Sequence, residues 1–403
     1  MADVAEAAVV AADVAAVADM AEIVAIAVDT AEIVATEVTV SSAAVDAEED
    51  VVVDAGIAAT DTKLSLQQLI HCLERQDLVY LGTVSPETTE DFLKYQAWLT
   101  AGNHGSLTYL EQNPNCRKSA HGALSSVQSV IVFGFPYLAK DSYPFLLNEK
   151  PRVAAYAQMP DYHRFMKQKA ETALAEWKKQ SSLSGDWRVC VDTVPLLERA
   201  FAKKTGTGFI GKNTCFIHET RGSFLLLGEI LTSLPFPKLE KNGNLDCGSC
   251  TLCQVECPTG ALKKDYQLDA TKCLSYWTIE QQGSIPEEFW PGVGKYWFGC
   301  DICQLVCPYN REAPQAKFTI PSIELPPLFE VATMDEARYQ KFFGGTPLTR
   351  AKRNGLRRNA LVAMTVNRDP RLAEALKICE NDQQSPIRET LLQIKNYLAK
   401  EST

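Results

Sequence analysis

"CGSCTLCQVECPTGAL" (residues 247–262) places Cys247, Cys250, Cys253 and Cys257 at the spacing C-x2-C-x2-C-x3-C, with Pro258 directly after the last cysteine. Thiolates at that spacing hold a [4Fe–4S] cluster, and in chains with two clusters the fourth cysteine ligates the second one. The missing ligands lie downstream. "GCDICQLVCPYN" supplies Cys300, Cys303 and Cys307, again followed by proline, and "TKCLSYWTIE" adds Cys273. In the crossed pattern one cluster takes Cys247, Cys250, Cys253 and Cys307, and the other takes Cys257, Cys273, Cys300 and Cys303. Paired C-x2-C segments also build all-thiolate structural zinc sites. The three-cysteine run and the two Cys-Pro endings favour two [4Fe–4S] clusters. Cys72, Cys116, Cys190, Cys215 and Cys379 are scattered and read as buried thiols or inert surface ones.

The bulk composition agrees with a reducing compartment. Eight of the 13 cysteines fall between Cys247 and Cys307, a clustering that indicates metal binding rather than disulfides. The 403 residues leave room for two or three domains. The net charge of −10 hides an asymmetry: residues 1–62 carry only acidic charges, while the rest of the chain holds all 40 Lys and Arg and is mildly basic. Such a body tolerates a polyanionic partner without proving one. The Ala/Val-rich leader has no basic residue and no uncharged run near the roughly 18–20 residues of a membrane span. It reads as a disordered or loosely helical extension of a cytoplasmic protein.

Apolar periodicity divides the remainder. "LSLQQLIHCLERQ" from Leu64 and "DYHRFMKQKAETALAEWKKQ" (161–180) are spaced as amphipathic helices, and "SVIVFGFPYL" (129–138) and "GSFLLLGEILTSLPF" (222–236) as buried strands. "DWRVCVDTVPLLERAFAKKTG" reads as strand, turn and helix, with Asp192 at the strand's end. The expected organisation is an extension over 1–62, an α+β or α/β domain over 63–240, a two-cluster module over 241–315, and a linker with short helices over 316–403.

A domain of this size ahead of the cluster module implies a second cofactor or substrate site that the clusters feed. "GTGFIGKNT" (206–214) matches G-x-G-x-x-G and nearly matches a P-loop, but it follows a helix and has Asn213 where a P-loop needs Ser or Thr. It reads as a glycine-rich turn toward a strand, with Lys212 free to act. Asp192 is a catalytic candidate by position or, alternatively, a helix cap. His163 is a site candidate or a first-turn surface residue. Arg350, Lys352, Arg353, Arg357 and Arg358, in "LTRAKRNGLRRNALVAM", could face phosphates or form a solvated helix face.

Taken together, "DYH", "VDTVPLLERA", "GFIGKNT", the two cysteine runs, "CLSYWTIEQQGSIP" and "PLTRAKRNGLRRNALVA" resemble the epoxyqueuosine reductase family over about residues 64–400. The resemblance implies two [4Fe–4S] clusters, cobalamin, and reduction of epoxyqueuosine to queuosine at the wobble position of tRNA by a monomer fed from an external low-potential donor. It implies Asp192 as proton donor, protonated through partial burial. His163, Ser275 and Lys212 then line the cobalamin or its substrate face. A HEAT-like C-terminal segment grips tRNA through the five basic residues. Ala155 stands where relatives often carry Arg, and Arg117 is the candidate replacement cation.

Overall fold

Within residues 59–238, four strands build the main sheet, and their periodicity explains its layering. In chain order the elements are α1 (Ala59–Arg75), β1 (Val79–Val84), α2 (Thr89–Thr100), α3 (Pro114–Lys118), β2 (Ser129–Pro136), β3 (Arg152–Val153), α4 (Tyr162–Lys178), β4 (Trp187–Cys190), α5 (Glu198–Lys204), β5 (Gly208–Ile210), β6 (Phe216–His218) and β7 (Leu225–Thr232). Strands β5 and β6 form a separate hairpin, and β3 pairs with β8 (Tyr296–Phe298) of the following module. This computed structural model describes residues 59–138, 152–238, 245–311, 313 and 323–401. The reading of residues 1–58 as a disordered extension, and the linker residues 314–322, lie outside them. Helix α1 starts at Ala59, ahead of the 62/63 boundary read from the sequence.

The sheet order is β1-β2-β7-β4, and all three pairings are antiparallel. The α/β reading of this domain is thereby corrected to α+β. Strands and helices do alternate along the chain, but a parallel sheet needs crossover returns in one direction, and these connections return each strand beside an antiparallel neighbour. Every residue of β2 is buried, because its two faces enter different cores. Ile131, Phe133 and Phe135 pack with Leu69 and Leu73 of α1 and Met166, Ala170 and Trp177 of α4. Val130 and Val132 face the other way, onto Phe201 and Ala202 of α5 with Leu227 and Leu231 of β7. This is the period-two alternation of a strand covered on both sides. Each fully buried large apolar side chain contributes about 1.5–3 kcal/mol, so the paired helices hold the sheet's end residues in place.

The cluster module follows as α6 (Leu252–Val255), a π-turn at Tyr276–Glu280, α7 (Trp290–Lys295), β8 (Tyr296–Phe298), α8 (Ile302–Leu305) and α9 (Pro308–Arg311). The short helices α6 and α8, which carry Cys253 and Cys303 of the two runs, pack together. The hairpin β5–β6 joins the sheet domain to this module, and Gly222 makes the junction possible. Its φ of +66° is left-handed, and a Cβ there would collide with the Asn310 side chain. Asn310 is buried and accepts a 2.6 Å bond from Ser223 N.

The C-terminal helices are α10 (Leu328–Thr333), α11 (Glu336–Phe343), α12 (Lys352–Val366), α13 (Leu372–Cys379) and α14 (Ile387–Glu401). Helix α12 is buried from Gly355 through Thr365 and lies at the centre of this group. Its Leu356, Leu361 and Met364 share one core with Leu274, Ile279, Trp290 and Phe298 of the cluster module. The C-terminal helices and the cluster module thus share one core; the expected 315/316 boundary lies outside the described residues.

Candidate active site

Asp192 lies two residues beyond β4 with φ +52°, a left-handed conformation that costs a non-glycine residue about 1–3 kcal/mol and persists only when its surroundings hold it. Three side chains do so. Tyr162 Oη donates to Asp192 Oδ2 at 2.7 Å, His163 Nε2 lies 2.8 Å from the same oxygen, and Asp192 N donates to Glu198 Oε1 at 2.6 Å. The helix-cap alternative is excluded, because Leu197 is the N-cap of α5 and no side chain caps it.

The first turn of α4 fixes the histidine. Asp161 is the N-cap; its Oδ1 accepts from His163 N at 3.0 Å and meets His163 Nδ1 at 2.6 Å. Both ring nitrogens are therefore engaged between two carboxylates. Hydrogen bonding to Asp192, and secondarily to Asp161, outweighs burial and lifts the His163 pKa. For Asp192, burial pushes the pKa up, but hydrogen bonds from His163 and Tyr162 and the charges of His163 and Arg350 prevail and lower it. The expectation that burial keeps Asp192 protonated is corrected on this point. The electrostatics of the pair favour the proton on His163.

The Asp192 side chain is 55% exposed, and tyrosines and charged groups stand around it. Tyr109, Tyr156, Glu280 and Arg350 contribute to the same electrostatic environment. Arg350 forms a two-oxygen ion pair with Glu280 at 2.9–3.2 Å and lies over the Tyr109 ring. On the sheet side, Glu198 and the fully buried Glu229 of β7 lie behind Asp192.

The eight cysteines collect into two groups. Cys307 is in electrostatic contact with Cys247, Cys250 and Cys253; Cys300 is in contact with Cys273 and Cys257, and Cys303 with Cys300 and Cys273. Backbone amides point at the sulfurs: Lys212 N donates to Cys247 Sγ at 3.3 Å, Tyr309 N to Cys307, Ser275 N and Tyr276 N to Cys273, and Ile302 N to Cys300. Among the described residues no three His, Cys, Asp or Glu side chains converge as around a single ion.

Several residues assigned from sequence stand elsewhere. Lys212 is not free: its side chain is 8% exposed, pairs with Asp265 at 3.3 Å, and lies by Cys247. Ser275 hydrogen-bonds Cys273. Both belong to the cluster surroundings, because the hairpin and the π-turn carry them there. Arg117 is buried, donates to the carbonyls of Gln112 and Tyr109, and lies over the Tyr95 ring, which makes it a structural cation. Cys215, read as inert, hydrogen-bonds Cys303. Arg357 and Arg358 are 6% and 0% exposed, so the phosphate-facing reading fails for both. Arg357 bonds Ala332 O, Asp382 and Cys379; Arg358 bonds the carbonyls of Trp277, Gln281 and Gly283 and the side chain of Asn359. Arg353 pairs with Glu336 at 3.2 Å, and Lys352 is exposed.

Sequence reasoning passed over Tyr162, Glu198, Glu229 and the Arg350–Glu280 pair. The available signal was Glu229, a lone carboxylate inside the apolar run "FLLLGEILT".

These features define a redox protein in which a double-cluster module adjoins an acid-lined site on an antiparallel sheet. Residues 246–310 match the 4Fe-4S double cluster binding domain, and residues 117–193, which include His163 and Asp192, match the family described as epoxyqueuosine reductase QueG, DUF1730. The epoxyqueuosine reductase of Shewanella oneidensis is 36% identical over 296 residues, covering 70% of this chain and 75% of the relative. That of Escherichia coli is 33% identical over 291 residues, covering 70% and 76%. The solved epoxyqueuosine reductase of Streptococcus thermophilus superposes with a TM-score of 0.71 at 25% identity, covering 82% of this chain and 89% of that one. Another, solved with an epoxyqueuosine-modified tRNA-Tyr stem loop, gives 0.66 at 24% identity, covering 81% and 88%. The chain belongs to the epoxyqueuosine reductase family. No helix among the described residues is long and apolar enough to cross a membrane.

Proposed function

We propose that this protein reduces epoxyqueuosine to queuosine in tRNA, using cobalamin and electrons relayed through two [4Fe–4S] clusters. Family membership carries the reaction, and the Asp192–His163 pair at the open site carries its chemistry. The conversion consumes two electrons and two protons and releases the epoxide oxygen as water. One cluster is assigned to Cys247, Cys250, Cys253 and Cys307, the other to Cys257, Cys273, Cys300 and Cys303, in agreement with the two thiol groups. The N–H donors on the sulfurs favour the reduced, more negative state of each cluster.

The residues around Asp192 suit a preassembled corrin. It brings its own equatorial nitrogens, and the protein here offers a polar wall: His163 has no free ring nitrogen with which to ligate metal. When bound, cobalamin supplies the low-valent cobalt chemistry that opens the epoxide. The protein's own share is acid catalysis and positioning. His163 holds the proton, Asp192 Oδ2 receives it and presents it to the departing oxygen, and Tyr162 keeps that oxygen pointed into the site. The pair titrates as a unit.

The sheet domain is read as the cobalamin domain and the C-terminal helices as a HEAT-like tRNA support. Exposed Lys352 and half-exposed Arg350, with its guanidinium over Tyr109, are the remaining candidates for phosphate contact. A monomer in the cytoplasm, reduced by an external low-potential donor, fits a tRNA substrate. Replacing Asp192 by Asn removes a general acid while keeping the hydrogen-bonding shape. Turnover should fall by about 10²–10⁴, with cluster absorbance and cobalamin binding retained. Full activity of that variant would remove Asp192 from the mechanism.

A further inference from the structure

The imidazole of His163 is fixed both in plane and in rotation. It stacks on the Tyr162 ring, with centroids 4.1 Å apart and planes 24° from parallel. Nε2 lies 2.8 Å from Asp192 Oδ2, and Nδ1 lies 2.6 Å from Asp161 Oδ1. A flipped ring would turn carbon atoms toward both carboxyl groups, so the hydrogen bonds select this orientation. Proton transfer to Asp192 uses the Nε2 contact and leaves the Nδ1 contact without a part.

Asp161 is itself held in place. Its amide donates to Gly345 O at 2.9 Å, from the turn ahead of the segment that carries Arg350. As N-cap of α4, its Oδ1 accepts from His163 N at 3.0 Å. Capping needs that one bond and no more. Because the amide makes Oδ1 an acceptor, Nδ1 is the donor in the 2.6 Å bond and keeps its hydrogen in both protonation states of the ring. The proton that comes and goes is then on Nε2, the nitrogen facing Asp192.

We propose that Asp161 is a positioning residue for the reduction: by accepting from Nδ1 it fixes the imidazole tautomer, so that Nε2 alone gives its proton to Asp192 and takes up the next. This rests on the reading of Asp192 as proton donor. When the Nε2–H bond breaks, an Asp192 O–H bond forms, and the proton passes on to the departing oxygen. The ring is left neutral, with Nδ1–H on Asp161 and a lone pair on Nε2, and it reloads from water at its exposed edge without turning. Two such rounds supply the two protons of the reduction, while the clusters and their external donor supply the two electrons. Without Asp161 the neutral ring takes the other tautomer, in which Nε2–H faces Asp192 and no lone pair is there to reload.

The electrostatics agree. The hydrogen bond to Asp192 lifts the His163 pKa most, burial opposes it, and the hydrogen bond to Asp161 adds to the lift. From the other elements, Glu198 of α5 lies within charge range of the ring, and Arg350 within range of Asp192. Removing the Asp161 carboxyl therefore lowers the His163 pKa, and the loss of rate as the ring deprotonates moves to lower pH.

Asp161→Ser separates capping from positioning, because serine caps a helix about as well as aspartate but brings no carboxyl oxygen to Nδ1. In the cluster- and cobalamin-loaded protein, Asp161→Ser should keep the wild-type Tm. It should lower single-turnover reduction of epoxyqueuosine tRNA about 100-fold and move the alkaline limb to lower pH. Asp161→Ala, which removes cap and acceptor together, should lose Tm as well. Heteronuclear NMR of the cluster-loaded protein, isotope-labelled at histidine, reads the tautomer, with the His163 signals identified by their loss in His163→Gln. Neutral His163 should be the Nδ1–H form in the wild type and the Nε2–H form in Asp161→Ser. An Nε2–H form in the wild type, or an unchanged tautomer and limb in Asp161→Ser, reduces Asp161 to a helix cap and overturns the proposal. Full activity of Asp192→Asn would instead overturn the proton-donor reading, and the proposal with it, even where the tautomer follows Asp161.

Discussion

Arg358 separates a structural role from a nucleic-acid role for the basic run. Its guanidinium donates to three backbone carbonyls, those of Trp277, Gln281 and Gly283, in and after the π-turn that follows Cys273, and it also bonds Asn359. Arg358→Ala takes the donor from those partly buried carbonyls and opens a void where the buried guanidinium sits. Hydrogen bonds to a charged donor contribute about 1.5–3 kcal/mol each and do not add fully. Removing one member of a buried charged network typically costs about 3–5 kcal/mol, so about 4 kcal/mol is expected. With roughly 2.1 cal/mol/K of unfolding entropy per residue across Ala55–Thr403, that lowers Tm by about 5–6 °C. Calorimetry of the cluster-loaded protein reads the shift, and tRNA affinity measured well below Tm should stay within about twofold. Lys352→Ala should do the reverse, leaving Tm unchanged and reducing the salt dependence of tRNA binding by about one phosphate contact. An Arg358→Ala protein with wild-type Tm and much weaker tRNA binding would refute the structural assignment.

Cys307→Ala should drop iron from about eight to about four per chain and remove the cluster held with Cys247, Cys250 and Cys253, leaving the electron paramagnetic signal of the other intact; loss of the Cys257 cluster instead would break the crossed assignment. Cys215 is the hydrogen-bond partner of Cys303, and once Cys303 ligates as a thiolate the Cys215 thiol becomes the donor, so Cys215→Ala should make that cluster harder to reduce, read as a more negative midpoint in a redox titration. Glu198 binds its proton more tightly folded than unfolded, so between its ordinary pKa of 4.5 and about 8 the native state loses stability as pH rises. Glu198→Gln should therefore raise Tm at pH 8.5 and leave it little changed at pH 4; a wild-type pH–Tm curve would contradict this.

The double-cluster module was legible because cluster chemistry fixes cysteine spacing locally, and the fold gathers the two cysteine runs with two short helices. The buried strands and α1 and α4 were legible from period. Strand direction was not, since the same alternation of segments serves parallel and antiparallel sheets, and only long-range pairing of β2 with β7 distinguishes them. The roles of Arg357 and Arg358 were hidden for a related reason. A run of positive charge looks alike on a surface helix and on a central one, and only packing against the π-turn reveals which carbonyls need donors. Lys212 and Ser275 follow their backbones to the cluster thiols, a placement no local motif records. The protonation of Asp192 depends on Tyr162 and His163, about thirty residues away in sequence, so burial alone gave the wrong sign.

The most direct measurement is the mass of the modified nucleoside after anaerobic incubation of the protein, loaded with clusters and cobalamin, with a strong reductant and epoxyqueuosine-containing tRNA. Loss of one oxygen, giving queuosine, is the expected result. An unchanged nucleoside, with both clusters and cobalamin demonstrably bound, would contradict the assignment.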